Sequence, residues 1–221
     1  MKKTLTALAV MAIAASAYAD VIASWSFDSG DIANNGVATA GTAANLDKVT
    51  VGNLVRNDMD KNGGSGNILT AVGWAGATAY VGFTVTVDPG WEIVNAAMGA
   101  EGKLNAANTG PAKLDWQVDG VTMSTWTPAA GGATTGSAPP DALLGTIDDS
   151  QEHTIRLVYQ AGSGQASGST SDPAATGTGR IGGDLQFKGT IQEASAVPEP
   201  ATMSLLGLGA LAMVLRRKLR K

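Results

Sequence analysis

The sequence predicts an all-β fold, a single antiparallel β-sandwich of jelly-roll type, and three observations point there. Between residues 20 and 193 the apolar residues fall in short β-branched and aromatic runs that alternate with polar positions. Gly, Pro, Asn and Asp interrupt those runs about every dozen residues, the spacing of strands joined by turns. No amphipathic helix of useful length lies in the same interval.

The first strand is Val21 to Phe27, with Val21, Ala23, Trp25 and Phe27 on one face and Ile22, Ser24 and Ser26 on the other. Val49 to Val55 alternates similarly. Tyr80 to Val87 is the clearest: Val81, Phe83, Val85 and Val87 point inward, Thr84 and Thr86 outward. Asp88-Pro89-Gly90 then turns the chain, proline presetting φ and glycine supplying a positive one, so Trp91 to Met98 returns as a hairpin partner. Ala112 to Val118 and Val121 to Thr127 form a second hairpin around Asp119-Gly120. Thr154 to Gln160 and Leu185 to Ile191 complete the set. Ala133 to Pro140 and Gly162 to Gly179 are low in complexity and rich in Gly, Ser, Thr and Ala, which marks them as loops.

Both ends carry signals rather than fold. Lys2 and Lys3, an apolar stretch from Leu5 to Ala15 and the small-residue site Ala17-Tyr18-Ala19 are the three regions of a secretory signal peptide. Residues 1–19 are therefore expected to be removed before Asp20, which makes the Sec translocon and signal peptidase partners. At the other end Val197, Pro198, Glu199, Pro200 and Ala201 form a stiff, extended peptide, because two prolines exclude helix and central strand. A hydrophobic helix over 202–215, with an uncharged run from Met203 to Leu215, follows and is expected to sit in the membrane; residues 216–221 form a basic stop.

This order of motif, helix and basic tail resembles the PEP-CTERM sorting signal of bacterial surface proteins. The resemblance covers about the last tenth of the chain and implies recognition of residues 197–201 by the membrane-embedded exosortase in a bacterium that exports polysaccharide. The chain is thus expected to divide into a signal peptide at 1–19, an exported sandwich at 20–193, and a linker with sorting signal at 194–221. It would pass transiently through the inner membrane and end at the cell surface or outside the cell. The middle is also similar to PEP-CTERM proteins with jelly-roll ectodomains, through Ile22-Ala23-Ser24-Trp25-Ser26-Phe27, Phe83-Thr84-Val85-Thr86-Val87, Leu114-Asp115-Trp116-Gln117-Val118-Asp119-Gly120 and Arg180-Ile181-Gly182-Gly183-Asp184-Leu185. That pattern usually ends Arg-Ile-Asp-Asp; here Gly182-Gly183-Asp184 removes a carboxylate and is expected to loosen the backbone.

Charge excludes one class of partner. Seven of the 15 basic residues lie in the two terminal signals, which leaves eight, scattered singly, against 18 acidic residues and a formal charge of −10 for the exported part. Such a surface does not bind nucleic acid. With no cysteine, stability must come from the core and from bound ions, if any.

Few residues suggest chemistry. Asp58, Asp60 and Asn62 alternate before Gly63 as the oxygen ligands of a Ca²⁺ loop do, but Leu69 stands where a closing Glu is needed, so a solvated loop is the preferred reading and no cofactor is required. Trp25, Trp91 and Trp116 fall in apolar strand patterns and belong to the core. Trp74 and Trp126 lie near strand ends beside Gly or Pro, where exposed rings would stack on sugar. His153, the single histidine, reads as an exposed strand start. No catalytic residue is assigned: there is no nucleophile elbow and no zinc triad, and most carboxylates fall in turns. The reading is a non-enzymatic exported surface or matrix protein; the alternative is a carbohydrate-binding module for exopolysaccharide, and a surface glycosidase or lyase comes third.

Overall fold

The computed structural model describes residues 19–27, 35–36, 38–60, 68–131 and 137–194. Sixteen strands appear among them: β1 (Asp20–Trp25), β2 (Asn35–Gly36), β3 (Thr39–Ala40), β4 (Val49–Val51), β5 (Leu54–Asn57), β6 (Ile68–Ala71), β7 (Tyr80–Val87), β8 (Trp91–Ala100), β9 (Leu104–Ala106), β10 (Leu114–Val118), β11 (Val121–Trp126), β12 (Ala129–Ala130), β13 (Ala142–Ile147), β14 (His153–Tyr159), β15 (Gly179–Gly182) and β16 (Leu185–Glu193). A single 3-10 turn, Leu46–Lys48, is the helical content of the described residues.

The strands form three sheets, ordered β13-β8-β16-β1-β3, β11-β10-β14-β7-β5-β2 with β4 also on β7, and β12-β9-β15-β6. Eight long strands, β1, β7, β8, β10, β11, β13, β14 and β16, occupy the first two sheets in the orders β13-β8-β16-β1 and β11-β10-β14-β7. Those orders are two interleaved Greek keys, the jelly roll that the sequence predicts. The two sheets meet through aromatic contacts: Trp25 of β1 meets Phe83 of β7 at a 45° tilt with 4.5 Å between ring centres, and Phe83 meets Phe187 of β16 edge-on at 5.5 Å. Such pairs add about 0.5–1.5 kcal/mol each beyond the area they bury.

The third sheet has a simple origin. β6, β9, β12 and β15 lie in the connections β1 to β7, β8 to β10, β11 to β13 and β14 to β16, which are the four crossings at one end of a jelly roll. They pair with one another and cap that end. The opposite end carries the tight turns at Asp88–Gly90 and Asp119–Gly120 and the 148–152 loop. The last strand also finishes there, where the Ala194 amide donates to the Gly90 carbonyl at 2.9 Å.

Local irregularities follow from packing. In β1 the register to β16 shifts between Val21 and Ala23, and the extra residue, Ile22, turns inward, so the expected outward face for Ile22 is corrected by a β-bulge. The Gly182-Gly183 departure does not loosen the chain as expected. A Cβ on Gly102 would lie 2.3 Å from the Gly182 carbonyl carbon, so two backbones cross there in direct contact, and Gly183 takes a φ of +70°. The expected 49–55 strand is divided in two at Gly52-Asn53, where the Gly52 amide donates to Thr84 O.

Candidate functional site

The outer face of the second sheet is built by register. Because Leu157 pairs with Val81 and Arg156 with Gln117, the residues Gln117, Arg156 and Gly82 form one row across β10, β14 and β7, and Val158 and Tyr80 lie in the next. Toward the capped end this face deepens into a groove of about 300 Å³, walled by the 74–79 connection on one side and by Ala161 and Asp172 on the other.

Gly82 sets the depth of the groove. A Cβ there would lie 2.4 Å from Ile155 O and 3.1 Å from both Arg156 Cγ and Tyr80 Cδ2, so only glycine lets these two side chains lie flat on the sheet. The Arg156 guanidinium rests 5.4 Å from the Tyr80 ring centre, and its Nε is buried with no acceptor. Tyr159 Oη donates to Asp172 Oδ1 at 3.1 Å and accepts from the Gly164 amide at 3.0 Å, which ties the 160–172 connection to the groove rim. Gln117 Nε2 donates to Thr122 Oγ1 at 3.3 Å. The groove thus presents a cationic donor, a carboxylate, an amide and two phenolic rings within one small concavity, a set suited to binding a polar ligand.

A second polar cluster sits at the opposite end. His153 Nδ1 lies 2.7 Å from Asp119 Oδ2, and its Nε2 lies 3.2 Å from both the carbonyl oxygen and Oδ1 of Asp148. Asp119 Oδ1 also accepts from the Thr154 amide at 2.8 Å. Every neighbour of the two ring nitrogens is an acceptor, which favours the doubly protonated imidazolium. Burial works against that charge, but the hydrogen bond and charge of Asp119, joined by Asp148, outweigh it and raise the His153 pKa above its ordinary value. Burial likewise pushes the Asp119 carboxyl up, yet the Thr154 amide and His153 hold it below the usual range. Hydrogen bonds from Ser150, with His153, do the same for Asp148. His153 is 7% exposed, so the expected exposed strand start is corrected: the turn folds over it.

The residues singled out in the sequence are placed as follows. Trp74 and Trp126 are 3% and 2% exposed and cannot offer a ring face to a sugar, which corrects their assignment as stacking residues. Trp74 Nε1 donates to Ala71 O at 2.8 Å and Trp126 Nε1 to Pro140 O at 3.0 Å, so both polar edges are satisfied inside the fold. Trp126 packs edge-on against Trp116 at 5.2 Å. The capping connections fold back over rings that a sandwich without a cap would have left open. Asp58 takes a φ of +50° and accepts from Asn57 Nδ2 and Thr78 Oγ1, which makes it a loop fastener; Asp60 forms a backbone bridge to Val72; Asn62 lies outside the described residues. Among the described residues no three His, Cys, Asp or Glu side chains converge as a metal site.

Ala19 and Asp20 are described, Asp20 as the first residue of β1, while Ala17 lies outside the described residues. Val197, Pro198, Glu199, Pro200 and Ala201, with the 202–215 segment and the basic tail, also lie outside them. Among the described residues no helix is long and apolar enough to cross a membrane. The groove residues Tyr80, Gln117, Arg156, Tyr159 and Asp172 were not singled out by sequence reasoning, because they come from three strands and a loop and share no linear motif.

No curated protein matches the chain by sequence. Among solved structures it is similar to a carbohydrate-binding module, CBM36 in complex with calcium and xylotriose, at 18% identity over 63% of this chain and 98% of that one, with a TM-score of 0.32, too loose an overlap to bear on function. Residues 196–218 match the family model described as the PEP-CTERM protein-sorting motif. Behind its β-sandwich the chain therefore carries, at residues 196–218, a PEP-CTERM sorting signal, which implies export.

Proposed function

We propose that the chain is a non-enzymatic cell-surface or extracellular-matrix protein, delivered through two terminal signals. The Sec translocon and signal peptidase act on residues 1–19, and exosortase recognises Pro198-Glu199-Pro200 while the 202–215 helix holds the chain in the inner membrane. The observation that carries this reading is the sorting motif at 196–218, which starts just after the last strand ends at Glu193. The reading calls for no cofactor.

The test is the intact mass of the protein from its native host, taken from both envelope and medium. A chain that begins at Asp20 and ends near Pro198-Glu199-Pro200 is expected. A chain still ending at Lys221 overturns the processing step.

The second reading is binding of exopolysaccharide, and the polar groove over Gly82 favours it. A glycosidase or lyase has the least support, since the groove is lined by one carboxylate, Asp172, where glycoside hydrolysis uses a pair.

A further inference from the structure

We propose that the groove formed by Tyr80, Gln117, Arg156, Tyr159 and Asp172 is a binding site for one or two sugar rings of a neutral polysaccharide. The proposal rests on the second reading above and supplies its site and ligand class.

Arg156 is the pivotal residue. The exported part has 18 acidic residues for eight basic ones, yet the Arg156 side chain forms no hydrogen bond or ion pair with the described residues. By contrast Lys188 is paired with Asp141 at 3.0 Å and Lys48 with Asp47 at 3.0 Å. Arg156 is instead fixed by packing: its Cγ lies in the space that Gly82 leaves and its guanidinium rests beside the Tyr80 ring. A planar donor held rigid without an acceptor is organised in advance for a ligand.

The rest of the lining identifies that ligand. A sugar hydroxyl both donates and accepts, so vicinal hydroxyls need groups of both kinds nearby. Arg156 only donates, the Asp172 carboxylate only accepts, and the Gln117 amide does both, while the Tyr159 hydroxyl, engaged by Asp172 and the Gly164 amide, holds the carboxylate in place. Tyr80, at the groove lining, adds an apolar ring on which the C–H face of a sugar rests. At about 300 Å³ the groove is at the small end of ligand sites, room for a ring or two and not for a long buried chain. Asp172 in the wall and a domain charge of −10 oppose a polyanion, which makes the ligand neutral.

Position agrees with delivery. Tyr80 opens β7, and the turn after Val87 lies at the end where Ala194 leaves the sandwich. Eight residues of strand separate the two ends by about 25 Å. The groove therefore lies at the end of the sandwich opposite to Ala194.

The experiment uses the mature protein recovered from its native host and the host's own exopolysaccharide, divided by anion exchange into neutral and acidic fractions. Affinity electrophoresis compares wild type with Arg156→Gln, Gln117→Ala, Asp172→Asn and, as a control on the far edge of the first sheet, Leu143→Thr. Thermal midpoints identify variants that fold. Retention by the neutral fraction is expected, weakened about tenfold or more by Arg156→Gln or, if that variant is unstable, by Gln117→Ala and Asp172→Asn, and unchanged by Leu143→Thr. Neutral binding that survives all three groove variants overturns the site while leaving the glycan reading in place. Retention by the acidic fraction alone overturns the ligand class. No retention by either fraction overturns the glycan reading and the site with it.

Discussion

His153 Nδ1 lies 2.7 Å from Asp119 Oδ2, which fastens the first residue of β14 to the hairpin turn between β10 and β11. Asp148 closes the other side of the ring, so one imidazole joins three segments at the end of the sandwich where the chain exits. This contact has a defined pH window. The His153 pKa is raised by folding, so its stabilisation is complete below the ordinary value of 6.5 and is lost as pH rises through the raised one. Asp119 and Asp148 are lowered, so theirs is complete above the ordinary 3.8 and is lost as pH falls through the lowered values. The cluster therefore contributes most between about pH 4 and 6.5. Both carboxylates are partly solvated, which limits the gain to about 0.2–1 kcal/mol. A thermal midpoint about 1–3 °C lower at pH 8.5 than at pH 5.5 is expected, and His153→Gln should abolish the difference. An equal midpoint at both pH values would show that the imidazolium contributes nothing.

The crossing of Gly102 with Gly182-Gly183 makes a second prediction. A methyl group on Gly102 would meet the Gly182 carbonyl carbon and oxygen at 2.3 Å, and one on Gly183 would lie 2.6 Å from the Gly102 nitrogen at a φ of +70°. These obstacles are backbone and cannot rotate away. Gly102→Ala is expected to cost about 1–3 kcal/mol in denaturant unfolding, and Gly183→Ala more, since overpacking and left-handed strain act together. Gly162→Ala, where nothing lies within 4 Å and φ is +76°, isolates the conformational part at about 1–2 kcal/mol. If Gly102→Ala were neutral, the close crossing would be absent in solution.

Trp74 and Gly179 are coupled in the same way. The indole donates to Ala71 O, and its ring lies so close to β15 that a Cβ on Gly179 would be 2.8 Å from Nε1. Gly179→Ala should displace the ring, which breaks its hydrogen bond and shifts its emission to the red as water reaches it. Trp74→Phe removes the donor and part of the volume, and is expected to cost about 1–3 kcal/mol. An unchanged spectrum in Gly179→Ala would contradict the contact.

What the sequence showed, and what it hid, divides along the length of the elements. β7 was readable to the residue, because eight alternating positions with four inward apolar side chains admit one periodicity. The eight long strands divide equally between two sheets, and seven of them were visible as apolar runs; β13 was missed because Gly145 breaks its alternation and Leu143 faces solvent. The capping sheet was invisible. Its strands are two to four residues long and rich in Gly and Ala, so they carry no periodicity and are stabilised by one another. That gap explains the tryptophans: exposure of Trp74 and Trp126 was inferred from their neighbours in sequence, whereas the cap that buries them is assembled from distant connections. His153 was misread for the same reason, since Asp119 and Asp148 lie 34 and 5 residues away. The sorting signal was legible because it is a linear motif. The groove is the opposite case, a product of register.

Gly82 is where fold and groove are decided by one atom. It pairs with Arg156 on β14 and with Val55 on β5, in the middle of the second sheet. Glycine in a central strand ordinarily weakens it, and here the Tyr80 ring lies across the exposed backbone in compensation. Gly82→Ala would place a methyl group 2.4 Å from the Ile155 carbonyl, a ladder atom, and 3.1 Å from Arg156 Cγ. The strand must shift or the arginine must lift. A loss of about 1–3 kcal/mol in stability is expected, together with weaker retention by neutral exopolysaccharide at temperatures where the variant is still folded. Tyr80→Phe provides the contrast: it keeps the ring over Gly82 and beside Arg156, so stability should change by less than about 0.5 kcal/mol. If Gly82→Ala lowered stability but left glycan retention intact, the groove would be a consequence of packing alone.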